Sequence, residues 1–393
     1  MVDRALMDRQ RGEPHPRKDR AAILMGGGAL VAVVWAEASP ATYHRAIDQV
    51  WSVPGLRDVG VTSIRAVVTS PLMAIFFLAV GLELARERRH GLLRSGRHAV
   101  SPVAAALGGM AATAILQVAI GVVTSTSALV RGWGIPMATD VALVLSVVSV
   151  AGRRVPHTVR VFLLTVAITD DLVSVLLLPL VGHQVPRPAG IVAIAIAATT
   201  TYPLTRRFAG ARVRWAALAV MWTLFAWARI EPALAGVLVG VLVPSDDVAL
   251  RRLERPVSTW SSKVILPLFA LATCGVAFSR LAWHGPTLRV AVGIVIARVA
   301  GKFLGIVGLV WLVDRWHHGR PEGLHGPVLW GAAVVCSLGL TVPVLFADAV
   351  FPPTGPIAQA FTAGLLVASV LGAGLAFALW HLPRPSPRDA RTR

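Results

Sequence analysis

Asp170 and Asp171 stand side by side in the run Leu-Thr-Val-Ala-Ile-Thr-Asp-Asp-Leu-Val, residues 164–173. On a helix, adjacent side chains point about 100° apart, so the two carboxylates can face two partners or flank one cavity. Two anions this close do not both ionise cheaply in a dry site unless a cation joins them. A site that exchanges a metal cation for protons has that requirement. A pair at a helix end facing water is the alternative, and the apolar residues that flank the pair for several turns on both sides speak against it.

Two further ionisable residues stand out inside apolar runs, where insertion of each costs about 2.5–3.5 kcal/mol. Asp140 closes the stretch Gly132-Trp133-Gly134-Ile135-Pro136-Met137-Ala138-Thr139-Asp140. Gly134 and Pro136 interrupt the helix, and an unwound stretch at membrane depth is tolerated only where it lines protein or water. Thr139 and Asp140 are placed to offset the positive N-terminal end of a half-helix; an ordinary proline kink with either residue as cap is the alternative. Lys302 is one of three lysines, with Lys18 and Lys263, in a chain that otherwise uses arginine. Arginine stays charged, whereas a buried lysine can lose its proton, so a mid-membrane lysine points to proton carriage, to pairing with an acid, or to both. A second interrupted stretch, with Gly339, Thr341 and Pro343, lies at residues 336–343.

The elements that must hold these groups follow from composition. The chain has 393 residues, 55% hydrophobic and 15% charged, with mean hydropathy +0.68. Soluble domains carry about 25% charged residues, so this is a polytopic membrane protein. Twelve apolar runs are candidate spans, at roughly 21–37, 64–85, 99–122, 128–151, 157–182, 188–205, 212–228, 231–244, 257–278, 287–313, 326–350 and 357–381. No long strand-period alternation appears, and lipid demands internally satisfied backbone, so the class is all-α. Residues 1–20 and 382–393 are expected as cytoplasmic tails around one transmembrane domain, 21–381. The loop from Glu37 to Gly60 carries Pro40, Pro54 and Gly55 and suggests a hairpin.

The net charge of +18 comes from arginine clusters after alternate spans. That alternation puts both termini in the cytoplasm and fits an even span count. Such clusters face anionic lipid, of which cardiolipin is an example, and not nucleic acid. Cys274 and Cys336 lie in apolar runs and are read as packing residues.

Taken in order, Gly81-Leu82-Glu83-Leu84, Gly134 to Asp140, Ala167 to Leu172, Leu266 to Ala270 and Gly301-Lys302 resemble the NhaA family of sodium/proton antiporters over about residues 20–380. The resemblance implies twelve spans, inverted repeats of spans 3–5 and 10–12, and crossed broken helices four and eleven. The family is itself an established example of that inverted-repeat architecture. It further implies a homodimer in the plasma membrane. It gives Asp171 as main cation ligand and proton carrier, Asp170 as partner of Lys302, and Thr139 and Asp140 as residues of the crossing. The transported ions would be Na+, or Li+, and H+, with no cofactor and no enzymatic reaction. Glu83, Glu87, Glu231 and Glu254 are candidates for pH regulation. Thr273, Glu231, Thr169 and Pro343 depart from the family pattern. Arg298, on the face of Lys302, has Asp348, Glu83 or the interface as possible partners.

Other classes fit less well. An intramembrane aspartyl protease would want an aspartate after tyrosine, and neither Tyr43 nor Tyr202 precedes one. A broken-helix transporter of an organic anion would call for cationic groups where two acids stand. A membrane sensor or scaffold that keeps the fold without transport is the third alternative.

Overall fold

The computed structural model describes residues 16–51, 60–90, 96–181, 186–207, 210–242, 247–317 and 324–382. The greater part of both expected tails therefore lies outside the described residues, as does the side chain of Glu87. Among the described residues the structure is helical, without strands. α1 is Pro16–Ala38 and α2 is Pro40–Asp48. α3 runs through Ile64–Val67, a π-turn at Val68–Leu72 and Met73–His90; α4 is Gly96–Val123. α5 (Ser127–Arg131) and α6 (Val141–Ala151) flank the first interruption. α7 (His157–Val181), α8 (Pro188–Arg207), α9 (Ala211–Trp227) and α10 (Leu234–Leu242) follow. α11 runs through Asp247–Trp260, a π-turn at Ser261–Ile265 and Leu266–Thr273, and α12 is Gly285–His317. α13 (Gly326–Val335) and α14 (Thr341–Val350) flank the second interruption, and α15 is Pro356–His381.

Among the described residues, eight helices are long and apolar enough to cross a membrane, and three shorter apolar helices, Val141–Ala151, Gly326–Val335 and Thr341–Val350, belong to the interrupted segments. The fold is thus that of a multi-pass membrane protein. The seventh and eighth apolar runs separate at residues 228–233, between α9 and α10. The nine residues of α10 rise only about 13 Å, less than half of a hydrocarbon core of about 30 Å.

The hairpin expected between residues 37 and 60 is corrected in the first half of that loop, where α2 forms instead; residues 52–59 lie outside the described residues. Pro40 occupies the first turn of α2, where its missing N–H costs nothing. Tyr43 and Ile47, four apart, form the buried face. The Tyr43 hydroxyl donates to the Leu271 carbonyl at 2.8 Å. Asp48 accepts from Arg65 Nε at 2.5 Å and lies 2.7 Å from His44 Nδ1. Burial works to raise the Asp48 carboxyl, but the bonds from Arg65 and His44 outweigh it and hold the group below the usual carboxylate range.

Small residues decide which helices meet closely. A Cβ on Gly305 of α12 would strike the backbone of Gly108 on α4, and one on Gly301 would lie 2.7 Å from Thr113 Cα. The same arrangement joins α3 to α10, where a Cβ on Gly81 would lie 2.6 Å from the Val237 carbonyl oxygen. Small-xxx-small faces let helix backbones approach where apolar lipid supplies little hydrophobic drive. The α4–α12 contact sets the position of Lys302, between the two α12 glycines. Gly305→Val should therefore lower thermal stability in detergent by about 1–3 kcal/mol. Gly308→Ala, where nothing lies within 4 Å, should be neutral or slightly stabilising. Equal unfolding midpoints for the two variants would contradict this packing.

Candidate functional site

The first interruption follows from Gly132, Gly134 and Pro136. α5 ends at Gly132, turns run through Pro136, and α6 begins only after Asp140. Carbonyls exposed by such a break need donors from elsewhere. Gln117 Nε2 on α4 donates to the Gly132 carbonyl at 2.5 Å and faces that of Leu129 at 3.2 Å. Arg298 on α12 donates from Nη1 to Pro136 O at 3.2 Å, from Nη2 to Ala138 O at 2.5 Å and from Nε to Ser337 O at 2.6 Å. One fully buried guanidinium thus serves the carbonyl ends of both interruptions. Its bonds go to backbone, not to Asp348, Glu83 or the membrane interface, the three destinations open from the sequence.

Asp140 performs the converse task. It stands at the N-cap position of α6 yet makes no side-chain cap bond there. Its carboxylate accepts instead from Leu340 N at 2.5 Å, from Thr341 N at 3.1 Å and from the Thr341 hydroxyl, at the start of α14. The positive end that Asp140 offsets is therefore that of the other interrupted segment. Asp140 N also donates to Leu338 O at 2.9 Å. Gly339 keeps room for the exchange, since a Cβ there would collide with Arg298 Nη2. Pro343 falls in the first turn of α14, where proline is tolerated, which accounts for its place in an apolar run.

The aspartates of α7 face this junction. Asp170 Oδ2 is bonded to Lys302 Nζ in an ion pair with both side chains fully buried. The Thr139 hydroxyl lies 2.7 Å from Asp170 Oδ2 and 2.7 Å from the Cys336 carbonyl. Its single proton serves one of these acceptors at a time. Asp171 is buried beside the pair. Asp170 Oδ1, Asp171 Oδ1 and the hydroxyl of Ser174 are buried without a hydrogen-bond partner. Ser174, four residues after Asp170 and three after Asp171, shares their helical face. Only that spacing in the sequence could have flagged it. Among the described residues no group of three or more His, Cys, Asp and Glu gathers to hold a metal ion. A cation at the pair would draw its remaining ligands from hydroxyl, backbone or water oxygens, as hard cations do.

The acidic residues considered for pH regulation divide. Arg86 links Glu83, at 3.4 Å, to Glu254, at 3.0 Å. Glu231 lies apart, on the wall of a separate cavity with Arg65 and Asp348. Thr273, another departure from the family pattern, bonds back to Phe269 O at 2.7 Å on its own helix. Thr169 does the same to Thr165 O at 2.8 Å.

Arg298→Met should destabilise the folded protein by about 3–5 kcal/mol, because it strips three buried carbonyls of donors and leaves the Asp140 charge without its nearby cation. Arg298→Lys should recover only part of the loss, since an ammonium cannot span three carbonyls in the guanidinium's fork. Thermal unfolding in detergent measures both, and an unshifted midpoint for Arg298→Met would count against this accounting of the two interruptions.

Comparison with known sequences adds the family. The sequence model of the family described as "Na+/H+ antiporter 1" matches residues 15–380. The chain is 36% identical to "Na(+)/H(+) antiporter NhaA 2" of Frankia alni, over 94% of this chain and 78% of that protein. It is 35% identical to "Na(+)/H(+) antiporter NhaA" of Acidovorax sp., over 90% of this chain and 87% of the relative. The protein of that name from Escherichia coli is 33% identical over 81% and 84%. A match over nearly the whole length, with the paired aspartates, the buried lysine and both interruptions inside it, places this chain in the Na+/H+ antiporter 1 family.

Proposed function

We propose that this protein is a secondary Na+/H+ antiporter that carries Na+, or Li+, out of the cell and protons in by alternating access. The observation that carries the reading is a pair of adjacent buried carboxylates, each with one oxygen unpartnered, beside a buried lysine bound to one of them. Hard, monovalent cations take oxygen ligands, and the same oxygens take protons. Asp171 is the main cation ligand and proton carrier. Asp170 joins it when the cation draws it from Lys302, which is then free to lose its proton. Thr139 and Ser174 stand next to the aspartates with further oxygens. No covalent step is needed, and the cycle uses no cofactor.

The architecture that serves such a cycle is twelve spans, built as inverted repeats of spans 3–5 and 10–12, with the fourth and eleventh crossing at their interruptions. The bonds from Arg298 and Asp140 across the two interruptions support it. The arginine-rich loops put both termini in the cytoplasm of a plasma membrane, facing anionic lipid such as cardiolipin. Tails of 1–20 and 382–393 flank one transmembrane domain, 21–381, and the working unit is a homodimer. Glu83 and Glu254, joined through Arg86, are the nearer candidates for pH regulation, with Glu87 one turn along.

Everted membrane vesicles test the reading: a preformed pH gradient should dissipate on adding Na+ or Li+. Asp171→Asn should abolish that response while the protein still inserts and folds, because asparagine keeps the volume but holds neither proton nor full charge. Exchange at the unmodified level by Asp171→Asn would remove Asp171 from the site.

Lys302 separates into two expected outcomes. Lys302→Ala should cost about 3–5 kcal/mol of stability, since it leaves Asp170 buried and unpaired. Lys302→Arg should fold well yet exchange poorly or with altered charge movement, because a guanidinium keeps its proton. Full electrogenic exchange by Lys302→Arg would eliminate proton carriage, and undiminished stability of Lys302→Ala would eliminate the pairing.

A further inference from the structure

A second polar cavity of about 380 Å³ lies away from the paired aspartates. Ser63, Arg65, Thr69 and Ser70 line it from α3 and the residues before it, Asp348 from α14, and Glu231 from the turn between α9 and α10. Gly60, Pro232 and Pro353, from three interhelical stretches, complete its rim. All three stretches fall on the side opposite the arginine-rich loops, so the cavity opens to the exterior in the orientation proposed above.

Its charges do not cancel. Arg65 is committed to Asp48, through Nε–Oδ1 at 2.5 Å and Nη2–Oδ2 at 3.4 Å. The same guanidinium also acts on the charge of Asp348, so among the described residues three carboxylates, Asp48, Glu231 and Asp348, share one arginine at this cavity. Asp348 Oδ2 is buried and has no hydrogen-bond partner among the described residues, an arrangement that costs free energy unless something occupies the site. The hydroxyl oxygens of the lining keep lone pairs. Thr69 donates to Arg65 O at 2.9 Å, and Ser70 accepts from Trp222 Nε1 at 3.1 Å. The set is one of hard oxygens with surplus negative charge, suited to an alkali cation with part of its water shell.

The site also has a physical line to the paired aspartates. Asp348 lies seven residues after Thr341 on α14, about 10 Å along the axis. Leu345, between them, lines the same cavity. Thr341 at the inner end of α14 is bonded to Asp140. One short helix therefore presents an acid to the outer cavity and its N-terminus to the junction beside Asp170.

We propose that Glu231 and Asp348 form an outer Na+ site, separate from Asp170 and Asp171, which receives the cation on the external face of the exchange cycle. The proposal rests on the exchange reading for its sidedness and on the cavity for its ligands. Right-side-out and inverted vesicles compare the two faces at one pH. Asp348→Asn and Glu231→Gln should each raise the half-saturating Na+ concentration on the external face about tenfold. The value on the cytoplasmic face should stay within about twofold, and Asp348→Glu should restore external affinity. Equal shifts on both faces, or none on either, would overturn the outer site.

A binding readout keeps the result independent of transport. Modification of Asp348 by a water-soluble carbodiimide, followed by mass spectrometry, should slow at least threefold in Na+ compared with choline. That protection should persist in Asp171→Asn. Protection lost with Asp171→Asn would assign the effect to the inner pair. Absence of protection in the unmodified chain would overturn the proposal, whereas protection without any exchange would leave the outer site standing and sink the antiport reading alone.

Discussion

Backbone polar groups at membrane depth have no water to turn to, and that constraint organises this molecule around the junction of its two interrupted segments. The helices are interrupted at 132–140 and at 336–340, and each break exposes carbonyls on one side and N–H groups on the other. Arg298 takes carbonyls from both breaks. Asp140, at the start of one half-helix, accepts the N–H groups that open the other. Each charge is thus committed across the junction. Neither segment satisfies all of its own ends, so these bonds tie the geometry of each to the other.

This arrangement divides labour between two cations one turn apart on α12. Arg298, a planar fork that does not deprotonate, holds backbone. Lys302, a flexible point charge, holds a carboxylate. The backbone of the interruptions and the buried carboxylate are thus held by different side chains. Close approach of α12 to α4 at Gly301 and Gly305 sets both cations at their depth. Room for the guanidinium depends in turn on Gly339.

Burial and unused polar capacity sit together at the paired aspartates. Two carboxylate oxygens and the Ser174 hydroxyl have no partner among the protein's own groups. The second cavity brings Glu231, Asp348 and hydroxyl oxygens together around one arginine, which is bonded to Asp48.

Hydropathy, charge placement and the types of the buried ionisable residues are local properties of the chain, and they determined much on their own. They gave an all-α membrane protein, the two interruptions, and Asp140, Asp170, Asp171 and Lys302 as the residues of interest. The resemblance of five motifs added the pairing of Asp170 with Lys302, which are 132 residues apart. Only the tertiary structure decided what lies across such distances. Arg298 to Pro136 spans 162 positions and Asp140 to Leu340 spans 200. No periodicity or composition encodes those bonds, because they depend on which helix ends meet after packing. The same holds for the loop from Glu37 to Gly60, read as a hairpin from Pro40, Pro54 and Gly55, where α2 forms. Pro40 starts a helix just as readily, and burial of Tyr43 against α11 settles the choice. Asp348 likewise reads as one more acid in an apolar run until folding sets it opposite Glu231 on a shared cavity.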